Sequence, residues 1–299
     1  MSKHTGNLYI LPFSENDNFI KILLGDFQQL NKKQIKLIKS YKEIIFEAFL
    51  LIREQTIYNK NCLFQVDEEY GLDIIKLAQH QKIDISLPIA KTGQKYFSLI
   101  FGKEFDQHLA TIKPLLVSAV VRYNPANKKI NQIQLARLKT LNNWCQQNNY
   151  HLVIELLVPP TAANLKKAKN KREIYNSKIR PNLVLKTIQE FRQAAIEPDI
   201  WEIEAFEMTE VWHEVIDSIR DDESREQVGI IMLSCDESFA KIKQWMSIAP
   251  RHLLNGFAAG CTVFMRPLQD LHENKINSKQ AIKEIAKNYL ELIRYWEKE

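Results

Sequence analysis

Glycine is scarce in this chain: 8 in 299 residues, where usage near 7% would give roughly 21. No G-x-G-x-x-G and no G-x-x-x-x-G-K-[ST] occurs, which excludes the backbone cradles that Rossmann and P-loop proteins fold around phosphates. Cysteine is scarcer still. Cys62, Cys145, Cys235 and Cys261 never form a C-x-x-C pair, so neither a zinc knuckle nor a secreted disulfide framework is indicated, and reduced, mostly buried thiols are expected. The 7 histidines include no H-E-x-x-H, and neither a metal nor a cofactor is expected. Ser234 and Cys235 sit in no G-x-S-x-G elbow, so a hydrolase triad is not indicated. Long apolar runs are missing too. Nothing reaches the ~18 residues that span a bilayer, and MSKHTGNLYILPFSEN is cut by polar residues, so a soluble cytoplasmic protein with no membrane partner is expected.

The composition, 45% apolar and 26% charged, is that of a chain able to bury a large core. The balance of 41 basic and 36 acidic residues, +5, leans only slightly toward anionic partners. Short β-branched runs at 7–13, 62–67, 84–91, 115–123, 151–159, 199–206, 228–235 and 254–264 alternate with stretches of helical period, among them 32–55, 131–149, 183–196, 208–220, 238–247 and 278–299. Alternation of this kind implies parallel strands joined by helical crossovers. Eight units predict an α/β fold of the (β/α)8 TIM-barrel class, one domain over residues 1–299, while a doubly wound open sheet would show the same alternation. The closing helix carries an apolar stripe of Ile282, Ile285, Ala286, Tyr289, Leu290, Ile293 and Trp296.

In such a barrel, chemistry sits at the C-terminal ends of the strands. Glu155, and the pair Glu202 and Glu204 on one side of their strand, interrupt apolar segments. Carboxylates there need a partner or a purpose: a metal, acid and base work, or ion pairs with Lys91 or Arg122 on adjacent strands. Asp67, Glu68 and Glu69 end the second strand, with Gly71 as its stop, and loop acids of this kind also serve as helix N-caps. Lys91 ends the third strand, where partial desolvation would make it a nucleophile or acid. The segment 166–180 holds seven basic residues (Lys166, Lys167, Lys169, Lys171, Arg172, Lys178, Arg180) against Glu173 alone. Read as a flexible loop over the barrel mouth, it would attract a phosphorylated small molecule or act as a solvated face; with only Tyr175 interleaved, a nucleic-acid partner is not expected.

Read in order, LYILPF, VDEEYG, KTGQKYF, VRYNP, IELLVPP, RPNLVLKTI, EPDIWEIEAF and NGFAAG resemble the bacterial aldolase-like domain found fused to the 5-dehydro-2-deoxygluconokinase of inositol catabolism. That family is similar to the class I tagatose-1,6-bisphosphate aldolases, TIM barrels that cleave a phosphorylated ketose through a lysine Schiff base. The resemblance implies carbohydrate-metabolism ancestry, with a substrate such as 6-phospho-5-dehydro-2-deoxygluconate. At family positions stand Asp67, Lys91, Arg122, Asn124, Glu155 and Glu204, of which the resemblance makes Asp67, Arg122 and Asn124 ligand-binding candidates. The departures are as informative. Glu202 takes the place of the Schiff-base lysine, Ser14, Glu15 and Asn16 that of an Asp-His-Arg triplet, Ala90 that of a glutamate, Ser118 that of a lysine, and Cys261 that of a phosphate-holding arginine. A carboxylate cannot form an imine, and an ionised one at 202 would repel the phosphorylated ketose.

These features imply a divergent aldolase-family barrel, a pseudoenzyme for Schiff-base chemistry, that binds an anionic small molecule or partner. The alternatives are an active carbon–carbon lyase using Lys91, and an enzyme that uses Glu155, Glu202 and Glu204 with a metal or as acid and base. The sequence leaves the oligomeric state open.

Overall fold

The computed structural model describes residues 6–26, 29–55, 57–91, 93–94, 96–234 and 237–298. Its strands are β1 (Leu8–Pro12), β2 (Cys62–Gln65), β3 (Ile85–Pro88), β4 (Leu116–Arg122), β5 (His151–Leu157), β6 (Ile200–Glu204), β7 (Gly229–Leu233) and β8 (Gly256–Ala258). They neighbour one another in chain order and close into a parallel barrel with helices between the strands, the (β/α)8 fold predicted. The helices are α1 (Asn16–Leu24), α2 (Lys32–Gln55), α3 (Glu68–His80), α4 (Phe105–Ile112), α5 (Lys128–Asn148), α6 (Ala162–Lys167), α7 (Arg172–Ile174), α8 (Arg180–Gln193), α9 (Thr209–Ile219), α10 (Phe239–Ile248), α11 (Cys261–His272) and α12 (Ser278–Glu297).

The residues group into two compact units. In the unit formed by 6–88, 234–243 and 257 onward, β1, β2 and β3 pair in parallel, and Ala259 N–H donates to Ile10 O at 3.1 Å beyond β8. Ile38, Tyr41, Ile45, Phe49 and Ile52 fall at helical spacing and are buried along one side of α2. Phe46 and Phe49 of that helix lie 5.0 and 5.2 Å from the Phe64 ring on β2. Helix α12 starts from an Asn277–Gln280 capping box. It buries Ile285, Ala286, Tyr289, Ile293 and Trp296 as predicted, but Ala281 and Leu292 rather than Ile282 and Leu290 complete the stripe.

Three expectations about boundaries need correction. The run 254–264 is only a short strand and turns helical at Cys261, because a short apolar run reads equally well as either element. Between the two, Gly260 passes so close to β1 that a Cβ would lie 2.4 Å from Pro12 O, so no larger residue fits the turn. Gly71 does not stop a strand: it lies inside α3, where an added Cβ would meet Val66 Cγ2 at 2.3 Å. The third strand ends at Pro88, short of Lys91; beyond it Ala90 makes an antiparallel bridge with Leu99.

In the other unit, 89–233 with 244–256, β4, β5, β6 and β7 form one continuous parallel ladder. The Phe191 ring of α8 packs against Tyr123 at 5.0 Å and Trp201 at 5.6 Å. Odd and even positions are thereby assigned: Trp201 faces the helices, and its neighbour Glu202 faces the barrel side.

Candidate functional site

The ladder register stacks the barrel-side residues of β4–β7 in layers. Ser118, Val153, Ile200 and Gly229 form the first, and Val120, Glu155, Glu202 and Ile231 the second. Arg122, Leu157, Glu204 and Leu233 lie at the C-terminal ends, where functional groups of this fold collect. Two carboxylates therefore share one layer and a third follows above them. The period-two spacing from Glu202 to Glu204 predicted their common side, but only the inter-strand register sets Glu155 directly beside Glu202.

Glu202 is 3% exposed. Burial raises its pKa well above the ordinary carboxylate range, and the nearby charge of Glu155 raises it further. Its charged form is therefore disfavoured, and the protonated form of a carboxyl group can donate a hydrogen bond. Val120 and Ile231, the apolar residues at either end of the same layer, offer no partner for a charge there. Glu155 is only half-buried. Below them, the fully buried Ser118 hydroxyl has no hydrogen-bond partner among the described residues.

Glu204 forms an ion pair with Arg180, Nη1 to Oε2 3.7 Å. The Arg180 guanidinium also donates to Glu204 O at 3.1 Å and Ala205 O at 2.5 Å, and lies 4.7 Å from the Phe206 ring centroid. Sequence reasoning missed this arginine because it counted it in a basic run read as a loop. The run is helical: α6 and α7 lead into a π-helical turn, Tyr175–Ile179, and then α8. The wide turn takes up an extra residue immediately before Arg180, and Pro181 follows without an N–H to donate. Tyr175 is buried and its hydroxyl donates to Val158 O at 2.5 Å, clasping the segment to the end of β5. Lys166, Lys167, Lys169, Lys171 and Arg172 remain exposed on this clasped scaffold.

Asn124 is 1% exposed and spends its groups inside the protein. Its amide donates to Pro159 O and Asn164 Oδ1, both at 2.9 Å, and its Oδ1 accepts from Ala126 N–H at 3.1 Å. Asn164 is in turn the capping-box partner of Thr161 at the start of α6. Asn124 thus ties the end of β4 to the β5–α6 connection. Arg122 is half-buried, and no ion pair to its guanidinium occurs among the described residues. Lys91 is exposed, held by a backbone bond to Ser98 O at 2.8 Å; the partial desolvation expected of it is absent.

In the other unit, Asp67 caps α3, accepting from Tyr70 N–H at 2.9 Å, and forms an ion pair with Lys42. Lys42, from the middle of α2, is fully buried and donates also to Phe13 O at 2.7 Å. Burial pulls its pKa down while Asp67 opposes the shift. The sequence hid this lysine among the charged positions of an amphipathic helix. Gln65 connects the same unit's barrel-side polar groups, donating to Ser14 Oγ at 3.2 Å and accepting from Ser86 Oγ at 2.9 Å. Asn16 Oδ1 is buried without a hydrogen-bond partner among the described residues. Cys62 and Cys145 are buried free thiols pushed up to about 12, Cys261 is half-buried, and Cys235 lies outside the described residues. Among the described residues no group of three or more His, Cys, Asp or Glu could hold a metal ion. Nor is any helix among them long and apolar enough to cross a membrane.

Residues 6–299 match the family described as "Uncharacterized protein conserved in bacteria (DUF2090)", and the chain belongs to that family. None of the curated proteins compared matches it. Among solved structures the fold is similar to a fructose-bisphosphate aldolase from Slackia heliotrinireducens DSM 20476, with a TM-score of 0.56 and 11% identity over 95% of this chain and 86% of that one. An archaeal fructose 1,6-bisphosphate aldolase matches with a TM-score of 0.54 and 9% identity, over 95% and 94% of the two chains. The YdjI aldolase from Escherichia coli K12 matches with a TM-score of 0.52 and 11% identity, over 98% and 92%. At these identities the likeness is one of fold.

Proposed function

We propose that this family member binds an anionic small molecule, of the sugar-phosphate class, at the C-terminal ends of β4–β6 and does not form a Schiff base. The observation that carries the reading is Glu202: a buried carboxyl group, its pKa raised by burial, stands where the resemblance to tagatose-bisphosphate aldolases puts the imine-forming lysine. A carboxyl group has no amine to condense with a carbonyl, but a neutral one can donate a hydrogen bond to a sugar oxygen. Arg122, half-buried in the layer above, supplies a guanidinium for an anionic group. The fructose-bisphosphate aldolases of similar fold act on phosphorylated sugars, and the exposed cations of α6 and α7 would raise the local anion concentration. In this reading the chain is a single cytoplasmic barrel domain descended from a lyase of the kind that acts on 6-phospho-5-dehydro-2-deoxygluconate.

A second reading is supported by one specific feature. Glu155 and Glu202 are register neighbours that differ in burial, and burial raises the pKa of Glu202, as one member of an acid and base pair requires. Proton transfer on a bound carbonyl compound would need no imine. Imine formation by Lys91 has less support, because that side chain is exposed.

Borohydride reduction in the presence of fructose 1,6-bisphosphate tests the central claim. No mass increase is expected, and a covalent adduct mapped to any lysine of the chain would overturn it. Protection of the protein against thermal unfolding by sugar phosphates, lost in Arg122→Ala, tests the binding claim.

A further inference from the structure

Helix α12 has a second exposed feature besides the stripe that it buries. Lys283 and Lys287 are four residues apart, as are Arg294 and Lys298, and all four are exposed. Like charges at this spacing repel and destabilise a helix. Arg294 and Lys298 at least suit the negative end of the helix dipole, but Lys283 and Lys287, in its first half, gain nothing from it. Glu284 stands three residues before Lys287, while Glu291, four residues after it, forms an ion pair with Lys243 of α10. Lys243 also lies 5.5 Å from the centre of the Tyr295 ring. Among the described residues no ion pair engages Lys283, Lys287, Arg294 or Lys298, which leaves this surplus of positive charge for a partner.

These cations border a groove of about 640 Å³ between α2, α10 and α12. Its floor is apolar, made by Leu51 and Ile52 of α2 with Ala286 and Leu290 of α12. A small-molecule pocket encloses most of its ligand, whereas this groove is open, and its cations run along α12 from Lys283 to Lys298. That is fifteen residues, about 22 Å of helix, longer than the charged part of a nucleotide or sugar phosphate. The apolar floor excludes an occupant that is charged all round. What matches both is an amphipathic helix, with one apolar face for the floor and acidic residues repeating each turn or so along its flank.

We propose that the groove between α2, α10 and α12 is a docking site for an acidic amphipathic helix of a partner protein. Leu51 and Leu290 meet its apolar face, and Lys283, Lys287, Arg294 and Lys298 meet its carboxylates. The site uses none of the residues assigned to the anion site of β4–β6.

The probe is a fluorescein-labelled synthetic peptide of about 20 residues, ~30 Å when helical, with leucines at i, i+3, i+4 and i+7 and glutamates on the flanks, read by fluorescence anisotropy. Saturable binding is expected. Lys283→Ala with Lys287→Ala should weaken it about tenfold and Leu290→Asp should abolish it, while Lys166→Ala with Lys167→Ala leaves it unchanged. The lysine changes are at exposed positions, so they decide the matter even if Leu290→Asp does not fold. Equal binding of a scrambled peptide of the same composition would reduce the groove to a charged surface and overturn the proposal. Displacement by ATP or inorganic phosphate would make it a small-anion site, and self-association of the chain reversed by Lys283→Glu would make it a contact between copies; either result overturns it too. Binding undiminished by the double lysine variant would do the same.

Discussion

Glu155 and Glu202 are register partners on adjacent parallel strands, β5 and β6, so their backbones stand ~4.8 Å apart with both side chains on the barrel side. Two carboxyl groups at that separation titrate as a pair, and burial decides which holds the proton. Glu202, 3% exposed, is the deeper of the two, and burial raises its pKa well above the ordinary carboxylate range. The position that the resemblance assigns to a lysine thus holds a carboxyl group whose charged form is disfavoured.

This arrangement has a cost that depends on pH. Because the native pKa of Glu202 is raised, the native state binds more protons than the unfolded one above the unfolded value of about 4.3. The stability associated with this proton is complete below that value and declines as pH rises toward the native one. Glu202→Gln removes the titration while keeping the shape, so the variant should gain on the wild type in thermal unfolding as pH is raised from about 4.3 to 8. Parallel melting curves at every pH would contradict the assignment of the proton.

The buried pair of Lys42 and Asp67 should show strong coupling. Asp67→Asn can keep the cap on Tyr70 N–H but leaves a buried ammonium short of its counter-charge, with an expected loss of about 3–5 kcal/mol. Adding Lys42→Met should restore much of it, measured by denaturant titration of the two single variants and the double. Additive losses would mean that the pair is not the unit that matters.

Tyr175→Phe removes the hydroxyl that donates to Val158 O and should cost about 1–2 kcal/mol. It should also hasten tryptic cleavage in the stretch from Lys166 to Arg172, since the clasp holds that segment. Unchanged cleavage would place the restraint elsewhere, in the Asn124–Asn164 bond.

Neutralising Lys166, Lys167, Lys169 and Lys171 together should reduce retention on heparin or phosphocellulose well beyond the effect of removing four other surface lysines. Exposed charges contribute only ~0.2–1 kcal/mol each and are screened by salt, so retention should be modest and salt-sensitive. Equal losses from both sets of variants would reduce these residues to a solvated face.

The sequence by itself determined the order of elements and the fold class. Eight apolar runs alternating with helical stretches predict crossovers, and the period-two spacing of Glu202 and Glu204 places both on one side of β6, because these patterns depend only on near neighbours along the chain. Helix α2 begins and ends at the residues predicted from its spacing. The tertiary structure alone decided which charged groups meet. Glu155 comes beside Glu202 through the β5–β6 register, Arg180 reaches Glu204 through a π-helical turn, and Lys42 reaches Asp67 from the middle of a helix. Each of these partnerships spans more than twenty residues. It is set by burial and by the direction in which the backbone sends a side chain, neither of which local spacing encodes.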